Sequence, residues 1–135
     1  MADPKKVLIV DDDMVLRDLY SERLKAEGHN IDTAKNGEEA LEAVKANKPD
    51  IILLDIMMPK MNGIDVLKNL RSQAETKDIP VIILTALLQQ IKQVEETLGP
   101  KDSYIMKSEM VPADVVNKVT DITVRSNANI GFLKF

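Results

Sequence analysis

Short apolar runs alternate along this chain with segments of helical period, the pattern left by βα units wound around a parallel sheet. The runs predict strands over Val7 to Val10, Asn30 to Ala34, Ile51 to Leu54, Val81 to Leu84 and Ser103 to Met106. The first, third and fourth are almost wholly apolar, as strands covered on both faces are. Asn30-Ile31-Asp32-Thr33-Ala34 alternates instead, which places it at an edge.

Between the runs, Leu16, Leu19, Tyr20 and Leu24 give a first helix one apolar face, and Gly28 supplies its stop. Asn36-Gly37 breaks the chain before a second helix carrying Ala40, Leu41 and Val44. Asn62-Gly63 precedes a third with Ile64, Leu67 and Leu70 inward. A fourth spans roughly Leu87 to Leu98 and ends at the breaker pair Gly99-Pro100. Pro112 suits the first turn of a fifth, with Val115, Val119 and Ile122 on one side. The expected unit is residues 1–125, an α/β sheet covered by helices all round. Residues 126–135 read as a separate tail: Ser126-Asn127-Ala128-Asn129 is polar, and both phenylalanines follow, at Phe132 and Phe135. A frayed extension, a linker remnant and a docking peptide all fit that composition.

At 135 residues the expectation is one domain, burying about 68% of the surface its unfolded chain exposes. Apolar residues at 44% and charged residues at 30% suit a globular protein. No apolar run approaches the roughly 20 residues that span a bilayer, and Met1 to Lys6 is too polar for a secretory signal. The absence of cysteine excludes a disulfide scaffold, a thiolate metal site and a cysteine nucleophile. A cytoplasmic protein without membrane insertion is expected. A net charge of -4 without a basic stripe argues against direct nucleic-acid binding.

The chemistry lies at the ends of the strands. Asp11, Asp12 and Asp13 follow the first run and Asp55 ends the third. In a parallel sheet these ends converge on one rim, where open α/β folds place their ligands. Clustered carboxylates repel unless a cation joins them, and all-oxygen ligation suits Mg²⁺. A carboxylate such as Asp55 can attack phosphorus and form an acyl phosphate when the charges are offset. Asp11 and Asp12 can hold the metal, and a backbone carbonyl in the Ile56-Met57 stretch can complete its ligands. Thr85, after the fourth run, offers a hydroxyl to a phosphoryl oxygen, and Lys107, after the fifth, offers a point charge. Each residue alone has an ordinary explanation as a cap, a turn or a solvated charge. Their conjunction on four strand ends carries the functional reading.

This set resembles the receiver domain of two-component response regulators. The resemblance covers about residues 4–124 and rests on Val10-Asp11-Asp12, Asp55 with Met58-Pro59 and Gly63, Thr85-Ala86, and Tyr104 with Lys107. It implies a flavodoxin-like, doubly wound, five-stranded parallel sheet of order 2-1-3-4-5 with five helices. It also implies that Asp55 accepts phosphate from a sensor histidine kinase or phosphotransfer protein, with Asp11, Asp12, Asp55 and the Met57 carbonyl around Mg²⁺, and Asp13 as a neighbour. Thr85 and Tyr104 would form the switch, and the fourth helix, fifth strand and fifth helix the face presented to a downstream protein partner. The start of the first helix, with Met14, Val15 and Asp18, is the kinase-docking expectation.

Two departures carry consequences. Ser108 stands after Lys107 where the family usually has proline, which removes the ordinary reason for a cis peptide, since non-proline cis bonds cost about 2.5 to 4 kcal/mol. Met57 and Leu87, two residues beyond Asp55 and Thr85, occupy positions that in the family influence how water reaches the acyl phosphate, and neither side chain suits a hydrogen bond to that water, so the resemblance implies slow self-dephosphorylation. A nucleotide or flavin binder would need a Gly-rich or hydroxyl-rich loop where Asp11-Asp12-Asp13 stands. An aspartyl phosphohydrolase of the haloacid-dehalogenase type meets the Asp11/Asp13 spacing but lacks an evident cap segment. Within the receiver reading, a stand-alone protein, a piece of a longer regulator or hybrid kinase, and a phosphorylation-independent interaction module are the alternatives.

Overall fold

The structure, a computed structural model, describes residues 4–56, 58, 62–85, 96, 98, 102–106 and 117–119. Five parallel strands form one sheet: β1 (Lys6–Val10), β2 (Asn30–Ala34), β3 (Ile51–Asp55), β4 (Val81–Thr85) and β5 (Ser103–Met106), in the order β2-β1-β3-β4-β5. Among the described residues the connecting helices with defined bounds are α1 (Met14–Ala26), α2 (Gly37–Ala46) and α3 (Gly63–Arg71). The predicted sheet order is thus observed, and β2 lies at an edge, paired only with β1.

The strands β1, β3 and β4 extend beyond the apolar runs, to include Lys6, Asp55 and Thr85. Parallel pairing explains this, because the partner's backbone decides where a ladder ends, whatever the polarity of the side chain. Lys6 lies opposite Asn30, Asp55 opposite Leu84, and Thr85 opposite Met106.

Strand alternation sorts the core into two layers. Leu8, Val10, Ile52, Leu54, Val81 and Ile83 share one cluster with Ala40 and Val44 of α2 and Ile64, Leu67 and Leu70 of α3. Val7, Ile9, Leu53, Ile82 and Leu84 share the other with Tyr20 and Leu24 of α1 and with Val119. On α1, Tyr20 and Leu24 are fully buried while Leu16 and Leu19 are only half-buried, so its buried stripe is narrower than the apolar periodicity implies. Helix starts follow local chemistry: the side chains of Asp13, Asn36 and Asn62 accept backbone N–H groups of the first turns of α1, α2 and α3. Gly28, with φ 94°, ends the α1 segment in the left-handed region. Most of the predicted fourth and fifth helices, the Lys107–Ser108 bond and the tail lie outside the described residues; Glu96, within the predicted fourth, is helical. Residues 117–119 are helical, and Val119 is buried as expected.

The edge of the sheet opposite the acidic rim is tied by polar contacts. Lys6 Nζ donates to Asn47 Oδ1 at 2.9 Å, Lys6 N to Asp50 Oδ2 at 2.8 Å, and Asn47 Nδ2 to Asp32 Oδ2 at 3.2 Å. Lys5 N donates to Nδ1 of buried His29 at 3.1 Å, which requires that nitrogen unprotonated. The Arg71 guanidinium donates to the carbonyls of Lys77 at 3.0 Å and Ile79 at 2.9 Å, and pairs with Asp102, whose side chain is 0% exposed. Asp102 Oδ1 also accepts Val81 N at 2.9 Å, so one carboxylate joins the end of α3 to the starts of β4 and β5.

Arg71→Met strips a buried carboxylate of its guanidinium, and we expect the unfolding free energy to fall by about 3 kcal/mol, read from the urea midpoint at unchanged slope. Burial, opposed by Glu27 and reinforced by Lys5, holds His29 below the usual imidazole range. The unfolded chain therefore binds that proton more readily. The contribution of His29 is fully present above about pH 6.5 and is lost as pH falls toward the folded value. Comparing urea midpoints at about pH 7.5 and 5.5, we expect a smaller acid-side loss in His29→Gln than in the unaltered protein.

Candidate functional site

The register between the two central strands builds the site. Val10 lies opposite Leu54, so the next residues of each strand, Asp11 and Asp55, emerge side by side at the carboxyl ends. Val10 and Leu54 face the α2/α3 layer, and alternation turns the following pair toward the α1 layer. Both aspartates are buried, at 0% and 3% exposure, whereas Asp12 is exposed. One carboxylate oxygen from each of Asp11, Asp12 and Asp55 lies within 4.8 Å of the others. Three carboxyl groups this close favour a shared cation over three independent anions.

The loop that presents them is held by its own backbone. Asp11 N continues the ladder to Ala34 O at 3.1 Å. Asp13 N donates to Asp11 Oδ1 at 2.9 Å. Asp13 Oδ1 accepts Val15 N at 2.9 Å and Leu16 N at 3.2 Å, which makes Asp13 the cap of α1 and leaves it outside the three-carboxylate group. Arg17 Nη1 donates to the Asp11 carbonyl oxygen at 2.7 Å.

The Asp55 side is shaped by a glycine. Ile56 N bonds Leu84 O at 3.1 Å, and Gly63 N bonds Ile56 O at 2.9 Å, closing the loop onto the strand end. A Cβ at Gly63 would lie 2.8 Å from Ile56 Cα and nearer still to the Asp55 carbonyl oxygen. Only glycine lets the start of α3 rest against the backbone that carries Asp55.

Tyr20, buried in the α1 layer, feels the charge of the cluster. Burial first, then the charges of Asp11, Asp55 and Asp13, push its hydroxyl up to about 12. Sequence periodicity assigned Tyr20 to the apolar face of the helix, and its side chain is indeed fully buried there. The proximity of its hydroxyl to the acids comes from the fold alone. Arg17 carried no periodic signal, since an arginine on a polar helix face reads as solvated.

The structure brings Asp11, Asp12 and Asp55 together. Met57 and Lys107 lie outside the described residues, as do Leu87 and Ser108. The Thr85 backbone ends β4 one register step beyond the Leu84–Asp55 pair, opposite Met106. Tyr104 of β5 lies opposite Ile83, half-buried against the α2/α3 layer. Met14 and Val15, at the start of α1, are 62% and 72% exposed beside the acidic rim.

Residues 7–119 match the response regulator receiver domain family. The chain is 40% identical over 104 residues to the probable transcriptional regulatory protein TcrX of Mycobacterium tuberculosis, a match covering 77% of this chain and 44% of that protein. It spans about half the length of the curated relatives it matches. Among solved structures, the response regulator TrrA of Thermotoga maritima, in complex with Mg²⁺–BeF, is 35% identical, with TM-score 0.76 over 87% of this chain and 98% of that one. The chemotaxis response regulator CheY4 of Vibrio cholerae is 27% identical, with TM-score 0.79 over 89% of this chain and 99% of that one.

Gly63→Ala forces the Asp55–Ile56 backbone and α3 apart. The expected result is a loss of about 1 to 3 kcal/mol in unfolding free energy, with amide chemical-shift changes concentrated at Asp55, Ile56 and residues 63–66.

Proposed function

The chain belongs to the response regulator receiver domain family, and from that premise we propose a phosphoryl-accepting switch with Asp55 as its acceptor. Receiver domains serve phosphorylation-activated two-component signalling, in exchange with histidine kinases or phosphotransfer proteins. The observation that carries the proposal is the approach of Asp11, Asp12 and Asp55 carboxylate oxygens to within 4.8 Å on the rim of the sheet.

That all-oxygen donor set fits Mg²⁺, which accepts a few protein oxygens and keeps waters for the rest of its octahedron. Asp11, Asp12 and Asp55 would hold it, with the Met57 carbonyl as a further ligand. Bound there, Mg²⁺ supplies the positive charge that offsets acceptor and incoming phosphoryl group. A carboxylate oxygen of Asp55 forms the new bond to phosphorus as the P–N bond of a kinase phosphohistidine breaks, and the electron pair departs with the imidazole. Thr85 donates a hydrogen bond to a phosphoryl oxygen and Lys107 brings its ammonium charge to the same group. Met57 and Leu87 offer no strong hydrogen bond to an attacking water, which supports a long-lived mark.

The added charge, about -1.5 to -2, biases a two-state element. Thr85 and Tyr104 form that element, and the face built on β5 and its flanking helices carries the change to a downstream protein partner. The receiver unit is residues 1–125, with 126–135 a tail. It works in the cytoplasm by protein contact, without direct nucleic-acid binding. Among the described residues no helix is long and apolar enough to cross a membrane.

The coverage favours a second reading. The chain matches 44% of TcrX and 50% of the PhoP regulator of Bacillus subtilis, both named as transcriptional regulatory proteins. By that measure this receiver is a part of a longer regulator, and its downstream partner is another segment of the same polypeptide.

Incubation with acetyl phosphate and Mg²⁺, followed by intact mass spectrometry, is expected to add one phosphoryl group. Asp55→Asn abolishes the adduct. An adduct that persists undiminished in the variant, or none in the unaltered protein, overturns the assignment of Asp55.

A further inference from the structure

Asp12 is the exposed member of the carboxylate cluster, and its side chain makes no hydrogen bond among the described residues. Its direction is therefore inherited from the backbone on either side. On the C-terminal side, Asp13 is fixed twice, by its N–H on Asp11 Oδ1 at 2.9 Å and by its side chain on Val15 N and Leu16 N. On the N-terminal side lies the Asp11–Asp12 peptide, whose carbonyl belongs to Asp11. Arg17 Nη1 donates to that carbonyl oxygen at 2.7 Å, reaching back over the first turn of α1.

From this geometry we infer that Arg17 is a positioning residue of the cation site: its guanidinium locks the plane of the Asp11–Asp12 peptide and so aims the Asp12 carboxylate at Asp11 and Asp55. The inference rests on the proposed Mg²⁺ role of those three aspartates. A charged donor on a carbonyl is among the stronger hydrogen bonds, and here it acts on the peptide on the N-terminal side of Asp12. Supporting contacts of this kind typically change metal affinity by about 10- to 100-fold when removed.

Charge alone predicts the opposite sign. A guanidinium near three carboxylates repels an incoming dication, so a residue that merely sat there would hinder Mg²⁺, and its removal would tighten binding. Orientation and charge are thus separated by the direction of the change. Arg17→Met keeps a long unbranched side chain of good helix propensity while removing both donor and charge. Arg17→Lys keeps the charge and a donor on a stem of similar reach.

The test is calorimetric titration of the full chain with MgCl₂ at fixed ionic strength, with amide order parameters of Asp12 and Asp13 measured before metal is added. In Arg17→Met the Mg²⁺ Kd is expected to rise by about tenfold, the order parameters of Asp12 and Asp13 to fall, and Arg17→Lys to recover most of both. An Arg17→Met protein that is folded and binds Mg²⁺ as tightly as, or more tightly than, the unaltered chain overturns the inference. Should that variant fail to fold, Arg17→Gln, with a shorter side chain, is read in the same titration by the same criterion. If the unaltered chain itself takes up no Mg²⁺, the failure belongs to the proposed metal role of the aspartates, and the positioning role falls with it.

Discussion

Parallel pairing of β1 with β3, Val10 against Leu54, is the constraint from which the site follows. A one-residue slip in either strand would send Asp11 and Asp55 to opposite faces of the sheet, because side chains alternate at every residue. The register is itself secured by burial. Val7, Leu8, Ile9 and Val10, and Ile51, Ile52, Leu53 and Leu54, are each no more than 1% exposed, so any shift would drive whole apolar rows out of their layers. The core thereby sets the distance between two carboxylates that would otherwise repel. Hydrophobic free energy is spent holding like charges together, and the site is ready to bind a cation.

The two rims of the sheet divide the work. At the strand amino ends, polar groups meet partners of opposite character: Arg71 with Asp102, Lys6 with Asn47, His29 with the Lys5 amide. At the carboxyl ends, the carboxylates of Asp11, Asp12 and Asp55 are gathered within 4.8 Å of one another. A rim of satisfied pairs contributes stability and changes little when a phosphoryl group arrives. A rim of concentrated like charge is poised for a change of state, since one added dianionic group alters every field around it. The Arg71–Asp102 contact also fixes where β5 begins, and hence where Tyr104 sits relative to Ile83 and the α2/α3 layer.

Much of this was legible in the sequence, for identifiable reasons. The strands β2 and β5 match their runs end to end, and β1, β3 and β4 differ only where a polar residue joins the ladder, because hydrophobicity marks burial and pairing continues past it. Gly28, Asn36 and Asn62 were visible as punctuation because each acts through its own backbone or its next turn. Asp11, Asp12 and Asp55 were visible because strand ends converge in any parallel sheet. Arg17 and Tyr20 were not, since their roles depend on the angle at which α1 crosses the strands. Helical period reports which side of a helix is wet; it carries nothing about which atoms of a neighbouring loop that side touches.

Helix α1 therefore has a double dependence that its amphipathic pattern hides. Its Leu24 and Tyr20 bury against the sheet and give the helix its place, while Asp13, at its cap, belongs to the acidic loop itself. Because Asp13 both caps the helix and bonds the Asp11 carboxylate, unwinding the first turn would release the loop, and moving the loop would uncap the helix. Arg17 adds a second tie between the same two pieces, one turn further along. Cap and guanidinium together tie the start of α1 to the acidic loop through directional contacts that apolar packing does not supply. Met14 and Val15, the exposed apolar pair, lie on that same first turn. The first turn of α1 and the loop that carries Asp11 and Asp12 are thus held by the same hydrogen bonds.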